Sequence, residues 1–325
     1  MNQFGTIYKL SIFGESHGDA VGMIIDGCPA GISINTNDFL PDLKRRKTGK
    51  NGTSPRLEAD LPNILSGIFN GKTSGSPISL IFENNNTQSK DYNEIKNTPR
   101  PGHADFTAFK KYKGFNDFRG GGHFSGRITV GLVAAGVIAK KILKDIEFTS
   151  QVTEVGGRKD IDNAVMEAMQ QGDSIGGMIE CKVKNLPIGL GEPFFDKVEA
   201  MIAHTIFSIP AIKSLEFGNG IEAAKMLGSQ NNDLILNESG ETASNNAGGM
   251  NGGITNGNEL VLRVAVKPPS SIKKTQQTYS LKSKGIEKLS VEGRHDACIA
   301  LRLPVIVEAA TAVALADLYL RNQIN

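Results

Sequence analysis

Ile128-Thr129-Val130-Gly131-Leu132-Val133-Ala134-Ala135-Gly136-Val137-Ile138-Ala139-Lys140-Lys141-Ile142-Leu143 is rich in Val and Ala, with lysine only near its end. The run is too long for a strand, so it reads as a helix buried on all sides. Residues 303–320 repeat this character, with Pro304 in the first turn, where a missing N–H does little harm. Together they predict a helical core layer. Residues 8–13 and 21–26 are short Ile- and Val-containing runs bounded by glycine-rich turns, as strands are. Residues 61–69, 77–82, 175–183 and 259–266 read as further strands. Residues 160–171 and 195–204 read as helices. Asn35-Thr36-Asn37-Asp38 supplies N-cap residues for a short amphipathic helix that closes on Lys44-Arg45-Arg46-Lys47, cations suited to a helix C-terminus. Residues 83–97, full of Asn, Gln, Lys and Asp, read as a polar loop. Strands and helices alternate without a Pro/Ser-rich linker, which predicts one intertwined α+β domain spanning residues 1–325.

Composition narrows the function. The chain has 325 residues, with Lys+Arg 36 against Asp+Glu 34, a net charge of +2 that creates no field able to recruit a polyanion or a membrane surface. Trp is absent and aromatics are 6%, too few for the stacking platforms of single-strand nucleic-acid binders. Cys28, Cys181 and Cys298 lie far apart without a CxxC pair, so neither a disulfide framework nor a zinc site is signalled, and a reducing cytoplasm is expected. The N-terminus lacks a basic start followed by an apolar run, and no stretch reaches the ~18 apolar residues of a membrane span. Glycine, 37 of 325, is about 11% against an average near 7%, which points to many turns or close backbone approaches.

Gly14-Glu15-Ser16-His17-Gly18 fits the G-x-S-x-G pattern of serine hydrolases, yet strand-like residues follow where the nucleophile elbow needs a helix. Gly67-Ile68-Phe69-Asn70-Gly71-Lys72-Thr73 approaches a P-loop, but Ser66 stands where the first glycine belongs. Lys44, Arg45, Arg46, Lys47, Lys50 and Arg56 crowd cations together without an intervening acid, a solvated helix end or a pocket for phosphate and carboxylate. In Arg100-Pro101-Gly102-His103-Ala104-Asp105 a histidine sits beside an arginine, whose charge lowers its pKa, whereas a bound phosphate raises it. Such a histidine suits protonation of a departing phosphate, the alternative being an exposed loop residue. Arg119-Gly120-Gly121-Gly122-His123-Phe124-Ser125-Gly126-Arg127 places three glycines ahead of the buried helix, whose N-terminus could face an anion. The open-backboned residues 245–254, Lys267-Pro268-Pro269-Ser270-Ser271 and Arg294-His295-Asp296 complete the polar segments.

Taken in chain order, Gly14–Gly18, Arg45-Arg46, Arg100–Asp105, Arg119–Arg127, Asn245–Gly253, Lys267–Ser271 and Arg294–Asp296 resemble the chorismate synthase family from Phe13 to the final helix. The resemblance implies a β-α-β sandwich, a homotetramer, reduced FMN as cofactor and 5-enolpyruvylshikimate 3-phosphate as substrate. The implied reaction is anti-1,4-elimination of phosphate to give chorismate, with no net redox change, as part of the shikimate pathway of aromatic amino acid biosynthesis. By the same resemblance, His103 protonates the leaving phosphate, His17 protonates the reduced flavin, and Ser16 and Asp296 relay a proton from it. Arg45, Arg46, Arg100, Arg127 and Arg294 line the pocket for a substrate carrying close to four negative charges. His123, Phe124, Ser125, Pro210, Ala211, Gly252, Lys267, Pro268, Pro269, Ser270, Ser271 and Arg294 match flavin-contacting positions, and Arg46 also matches an NADPH contact. The chain departs from the family where His123-Phe124 replaces a common Arg-Ser, where Lys47 replaces an arginine, and where Ala297 replaces a usual proline. It also has no arginine at residues 50–52 and ends soon after its last helix. The missing arginine favours a separate flavin reductase over self-reduction with NADPH. Outside this family, a hydrolase built on Ser16 and a non-catalytic anion-binding module are the competing expectations.

Overall fold

Two antiparallel sheets enclose a layer of helices in the computed structural model, which describes residues 2–49, 51–56, 58–86, 95–291, 293 and 295–324. The first part of the chain forms β1 (Gln3–Phe4), β2 (Lys9–Gly14), β3 (Ala20–Asp26), α1 (Thr36–Arg46) and β4 (Asn63–Ser66). The small hairpin β5 (Ile68–Phe69) and β6 (Lys72–Thr73) precedes β7 (Ile78–Glu83), α2 (Asp105–Lys111) and α3 (Thr129–Ile142). Then come β8 (Glu147–Val155), α4 (Ile161–Gln170), β9 (Gly177–Lys184), α5 (Val198–Ile206), β10 (Ile212–Phe217) and the short α6 (Gly228–Asn231). The chain continues through β11 (Met250–Asn251), β12 (Ile254–Thr255), β13 (Leu260–Val266), β14 (Gln276–Tyr279) and β15 (Ile286–Leu289) to α7 (Pro304–Asn322). One sheet runs β1-β2-β3-β7-β4 and the other β10-β13-β9-β8. α3 packs on β3 and β7, α7 on β8 and β9, and the two helices pack on each other. The architecture is therefore α+β, with a helical layer between sheets.

The apolar run at 128–143 becomes α3, and all its residues from Thr129 to Ala139 are buried. Close packing against α7 depends on small residues. A Cβ added to Gly136 would lie 2.4 Å from the Cβ of Ala309 and 2.6 Å from its Cα. α7 is held at its other end by Asp317, fully buried, whose Oδ1 accepts the backbone N–H groups of Thr6, Ile7 and Tyr8 at 2.7–2.9 Å. Asn35 caps α1 by accepting from the Asn37 N–H at 2.9 Å, while Asp38 accepts from the Asn35 N–H at 2.7 Å, a reciprocal box.

Three local expectations are settled by these elements. Residues 14–18 turn from β2 into β3, with Gly14 paired to Val21, so a strand and not a helix follows Ser16. The P-loop look-alike is the β5–β6 hairpin. The three glycines do not open α3. They lie within a 3₁₀ segment, Arg119–Phe124, at φ of 59°, 84° and 54°, and α3 begins only at Thr129. Their positive φ suits residues without a Cβ and breaks the continuity that a helix N-terminus requires. Of the polar loop expected over 83–97, residues 87–94 lie outside the described residues, and Glu83 belongs to β7.

Candidate active site

A cavity of about 730 Å³ collects side chains from nearly the whole length of the chain. Its size lies within the usual range for a small-molecule site. The β2–β3 turn contributes Ser16, the last turn of α1 contributes Arg46, and the turn before α2 contributes Arg100 and His103. The glycine segment brings Gly120, His123, Phe124, Ser125 and Arg127, the start of β10 brings Pro210 and Ala211, and the end of β13 brings Lys267, Pro269, Ser270 and Ser271. Asp296 arrives from the approach to α7.

The cationic wall is organised by a residue absent from the sequence reading. Asp60, 3% exposed and at φ 50°, accepts from Arg46 Nη2 at 2.6 Å on one oxygen and from Arg127 Nη1 on the other. Burial pushes its carboxyl up, but the two guanidinium groups outweigh that and hold it below the ordinary carboxylate value. Arg127 also donates to Asn84 Oδ1 at 2.8 Å and to the Glu83 carbonyl at 3.1 Å. Arg46 is 3% exposed, and its Nε and Nη1 have no hydrogen-bond partner among the described residues. Burial, with repulsion from Arg302 and Arg127 opposing the pull of Asp60, lowers its pKa to about 10, so it stays charged at neutral pH. Two unanswered donors on a buried cation are costly unless an anion takes them.

A second cluster surrounds His103. Arg100 donates from Nε to Asp105 Oδ2 and from Nη2 to Asp105 Oδ1, both at 2.8 Å, and from Nη1 to Ser271 Oγ at 2.9 Å. His103 Nδ1 is 2.6 Å from Asp105 Oδ1. Burial raises the Asp105 carboxyl, but bonds from Arg100 and His103 reverse this and hold it well below the carboxylate range. Nδ1 also lies 3.1 Å from Arg100 Nη2, which can only donate, but the contact to ionised Asp105, which can only accept, is much the shorter, so Nδ1 carries the proton and Nε2 remains for other chemistry. Lys267 donates to the Gly102 carbonyl at 2.9 Å and to Ser270 Oγ at 2.7 Å, tying the β13 corner to the histidine turn.

The glycine segment lets the histidines approach. A Cβ on Gly120 would lie 2.5 Å from His17 Cδ2 and 2.9 Å from Ser16 Oγ, and one on Gly121 would lie 3.3 Å from His103 Cε1. Ser16 N–H donates to the Gly122 carbonyl at 3.1 Å. Arg56 donates to Ser16 Oγ and to its carbonyl, both at 3.2 Å. Across the cavity, Asp296 accepts the Ser54 N–H at 2.8 Å and two bonds from Arg302 Nη1 at 3.1 and 3.2 Å. His123 Nδ1 is 2.8 Å from the Gly14 carbonyl, an acceptor, so this nitrogen is the protonated one. Phe124, Ile128, Leu132, Ile209 and Ile299 add an apolar wall.

Most expected residues thus share one cavity, and the exceptions are specific. His17 is buried behind Gly120 and does not line the cavity directly. Arg45 leaves α1 on another side and forms a bidentate pair with Glu308. Gly252 lies in the exposed β11–β12 turn, and Pro268 lies between two lining residues without lining the cavity itself. Arg294 lies outside the described residues. Sequence reasoning missed Asp60, Arg302, Ser54 and Glu58, all of which line the cavity, and placed Arg56 only within a cationic run.

The chain matches the family model described as chorismate synthase over residues 8–320. It is 59% identical over 324 residues to a protein named chorismate synthase from Chitinophaga pinensis, covering 99% of this chain and 98% of that protein. It is 44% identical to another of that name from Methanosarcina mazei, covering 99% and 96%. A crystal structure of chorismate synthase superposes with a TM-score of 0.76 at 28% identity, covering 98% of this chain and 93% of that one.

Proposed function

This chain belongs to the chorismate synthase family and is an enzyme of that type in the shikimate pathway, and on that premise we propose that its cavity eliminates phosphate from 5-enolpyruvylshikimate 3-phosphate beside reduced FMN. The observation that carries the reading is Arg46, buried with two unpartnered N–H donors in the cavity that also holds His103. A polyanion satisfies both donors and balances the cations that Asp60 alone does not neutralise.

The residues also fit a flavin. Lys267, Ser270, Ser271, Ser125 and His123 offer polar atoms for its phosphate and carbonyl groups, while Phe124, Pro210, Ala211 and Ile299 offer apolar area for a flat ring. When bound, reduced FMN supplies the electron density that helps expel phosphate and recovers it when the hydrogen departs. The protein's own part is positioning and proton handling. Arg46, Arg100 and Arg127 hold the substrate's phosphate and carboxylates, and Arg294 joins them by family resemblance. His103 accepts a proton at Nε2 as the phosphate dianion arrives and gives it to the leaving group. Ser16 and Asp296 would relay a proton away from the flavin, and His17, behind Gly120, would protonate the reduced flavin.

The working protein is further proposed to be one catalytic unit per chain, cytoplasmic and a homotetramer supplied by a separate flavin reductase. Among the described residues no helix is long and apolar enough to cross a membrane, and no cluster of three or more metal-ligating side chains occurs. Mixing protein, reduced FMN and substrate without oxygen is expected to release phosphate while the flavin stays reduced. Turnover in the absence of flavin would defeat the reading. Bleaching of FMN by NADPH with the purified protein alone would remove the separate reductase.

A further inference from the structure

Consecutive residues of an α-helix point in directions about 100° apart, following from its 3.6 residues per turn. In the last turn of α1 this sends Arg46 into the cavity and leaves Arg45 outside it, partly exposed and reaching toward α7. There Arg45 meets Glu308 of α7, whose side chain is 1% exposed. Glu308 Oε1 accepts from Arg45 Nη2 and Ser150 Oγ, each at 2.6 Å, and Oε2 accepts from Arg45 Nη1 at 2.8 Å and Lys140 Nζ at 3.0 Å. Lys140 and Arg45 also both reach Asp42, at 2.8 and 3.2 Å. One buried carboxylate therefore gathers α1, α3, α7 and β8.

A bidentate guanidinium–carboxylate pair fixes direction as well as distance. Arg46 has no comparable anchor of its own. Among the described residues its side chain makes a single bond, from Nη2 to Asp60, and the donors it offers the cavity are unpartnered. The direction in which those donors point then depends on the backbone of the α1 terminus, which Arg302 Nε holds through the Arg46 carbonyl at 3.2 Å and which Arg45 and Glu308 hold through the neighbouring side chain. We infer that Arg45 and Glu308 are positioning residues: without touching the substrate, they aim Arg46 at it. This rests on reading the cavity as the site of a phosphorylated polyanion, and it gives Arg45 a different task from the direct substrate contact expected from the family resemblance.

The test measures the affinity of 5-enolpyruvylshikimate 3-phosphate by calorimetry with oxidised FMN bound, so that binding is read apart from turnover. Arg45→Met is expected to weaken substrate binding roughly tenfold with FMN affinity unchanged, and Arg45→Lys to restore part of the loss, because lysine keeps the charge but not the fork. In an Arg46→Met background, Arg45→Met should cost less than about twofold, since its effect passes through Arg46. An equal loss in both backgrounds would mean that Arg45 meets the substrate itself, and no loss in the wild-type background would mean that the brace is idle. Either result overturns the inference. Glu308→Gln should reproduce the pattern, and if it fails to fold the Arg45 cycle decides alone. A wild-type protein that binds no substrate would instead sink the reading of the cavity, and the inference with it.

Discussion

His103 Nδ1 stands 2.6 Å from Asp105 Oδ1, and this short contact decides which ring nitrogen is available for chemistry. Burial lowers the His103 pKa below the ordinary 6.5, the bond to Asp105 raises it, and nearby Arg100 lowers it again, with a net downward shift. In the ligand-free protein at pH 7 the ring is therefore neutral, and an arriving phosphate dianion is what favours its protonation. If His103 is the acid, kcat/KM falls as pH rises through the lowered value, whereas kcat, which reports the bound complex, holds to higher pH. His103→Ala should slow phosphate release by roughly 10²–10⁴. Asp105→Asn removes the contact that supports the charged ring, so it should move the kcat/KM limb further to acid. The substrate phosphate also titrates near pH 6, but identically for both proteins, so the difference isolates His103. A limb that moves to alkaline pH would show that Asp105 does not support the protonated ring.

Gly120 offers a test of the approach between the glycine segment and the β2–β3 turn. It combines φ 59° with the close approach of His17 and Ser16, while Gly71 has φ 71° and nothing within 4 Å of an added Cβ. Gly71→Ala carries only backbone strain, about 1–3 kcal/mol at most. Gly120→Ala carries similar strain and must also displace the His17 ring and the Ser16 hydroxyl. Thermal unfolding should therefore show a loss at least as large for Gly120→Ala as for Gly71→Ala, with turnover falling at least tenfold only in Gly120→Ala. Equal turnover would mean that the placement of His17 and Ser16 does not matter.

The helical layer was legible because residues 128–143 and 303–320 are apolar on every face, and no competing structure accommodates so long a run. β2, β3 and β7 were legible from their glycine and turn boundaries, whereas the single strand expected over residues 61–69 breaks at Gly67, whose φ of 82° ends β4 and starts the separate β5–β6 hairpin, and the two-residue β1 was not read. β8 and β10 were not read: Glu147–Val155 alternates exposed and half-buried positions along a partly solvated face, and Ile212–Phe217 is half-buried almost throughout. Such faces give weak periodicity. Within the site, residues in glycine-, histidine- and arginine-rich clusters stood out, while Asp60 did not. A lone aspartate ahead of a strand carries no local pattern. Its importance comes from accepting Arg46, 14 residues away, and Arg127, 67 residues away. The same holds for Arg302, which reads as a charge beside a buried helix until its pairing with Asp296 is seen.

At Gly136 α3 and α7 approach so closely that the contact leaves no room for a methyl group. An added Cβ meets both Cβ and Cα of Ala309, so trimming Ala309 to glycine would relieve only one of the two clashes. Gly136→Ala gains helix propensity, worth about 1 kcal/mol, against an overpacking cost of about 1–3 kcal/mol. Denaturant titration should show net destabilisation of up to about 2 kcal/mol, and adding Ala309→Gly should recover only part of it. A stabilised Gly136→Ala protein would show that the helices separate without penalty.

Acid should loosen the structure through its buried carboxylates before it affects anything else. For Asp60 and Asp105, burial raises the pKa and bonds from cations reverse the effect, leaving both below the ordinary 3.8; Glu308 is likewise held below 4.5. A group whose pKa is depressed on folding contributes stability that is present above its unfolded value and lost as pH falls through the folded one. The melting temperature should accordingly be nearly level from pH 7 to about 5 and fall steeply below pH 4. Asp60→Asn should be destabilised at pH 7 by about 3 kcal/mol, as expected when one member of a buried charge cluster is neutralised. Its acid limb should also be shallower, because one of the protonations that drives unfolding has been removed. A variant with the wild-type slope would show that Asp60 is not among the groups whose protonation unfolds the protein.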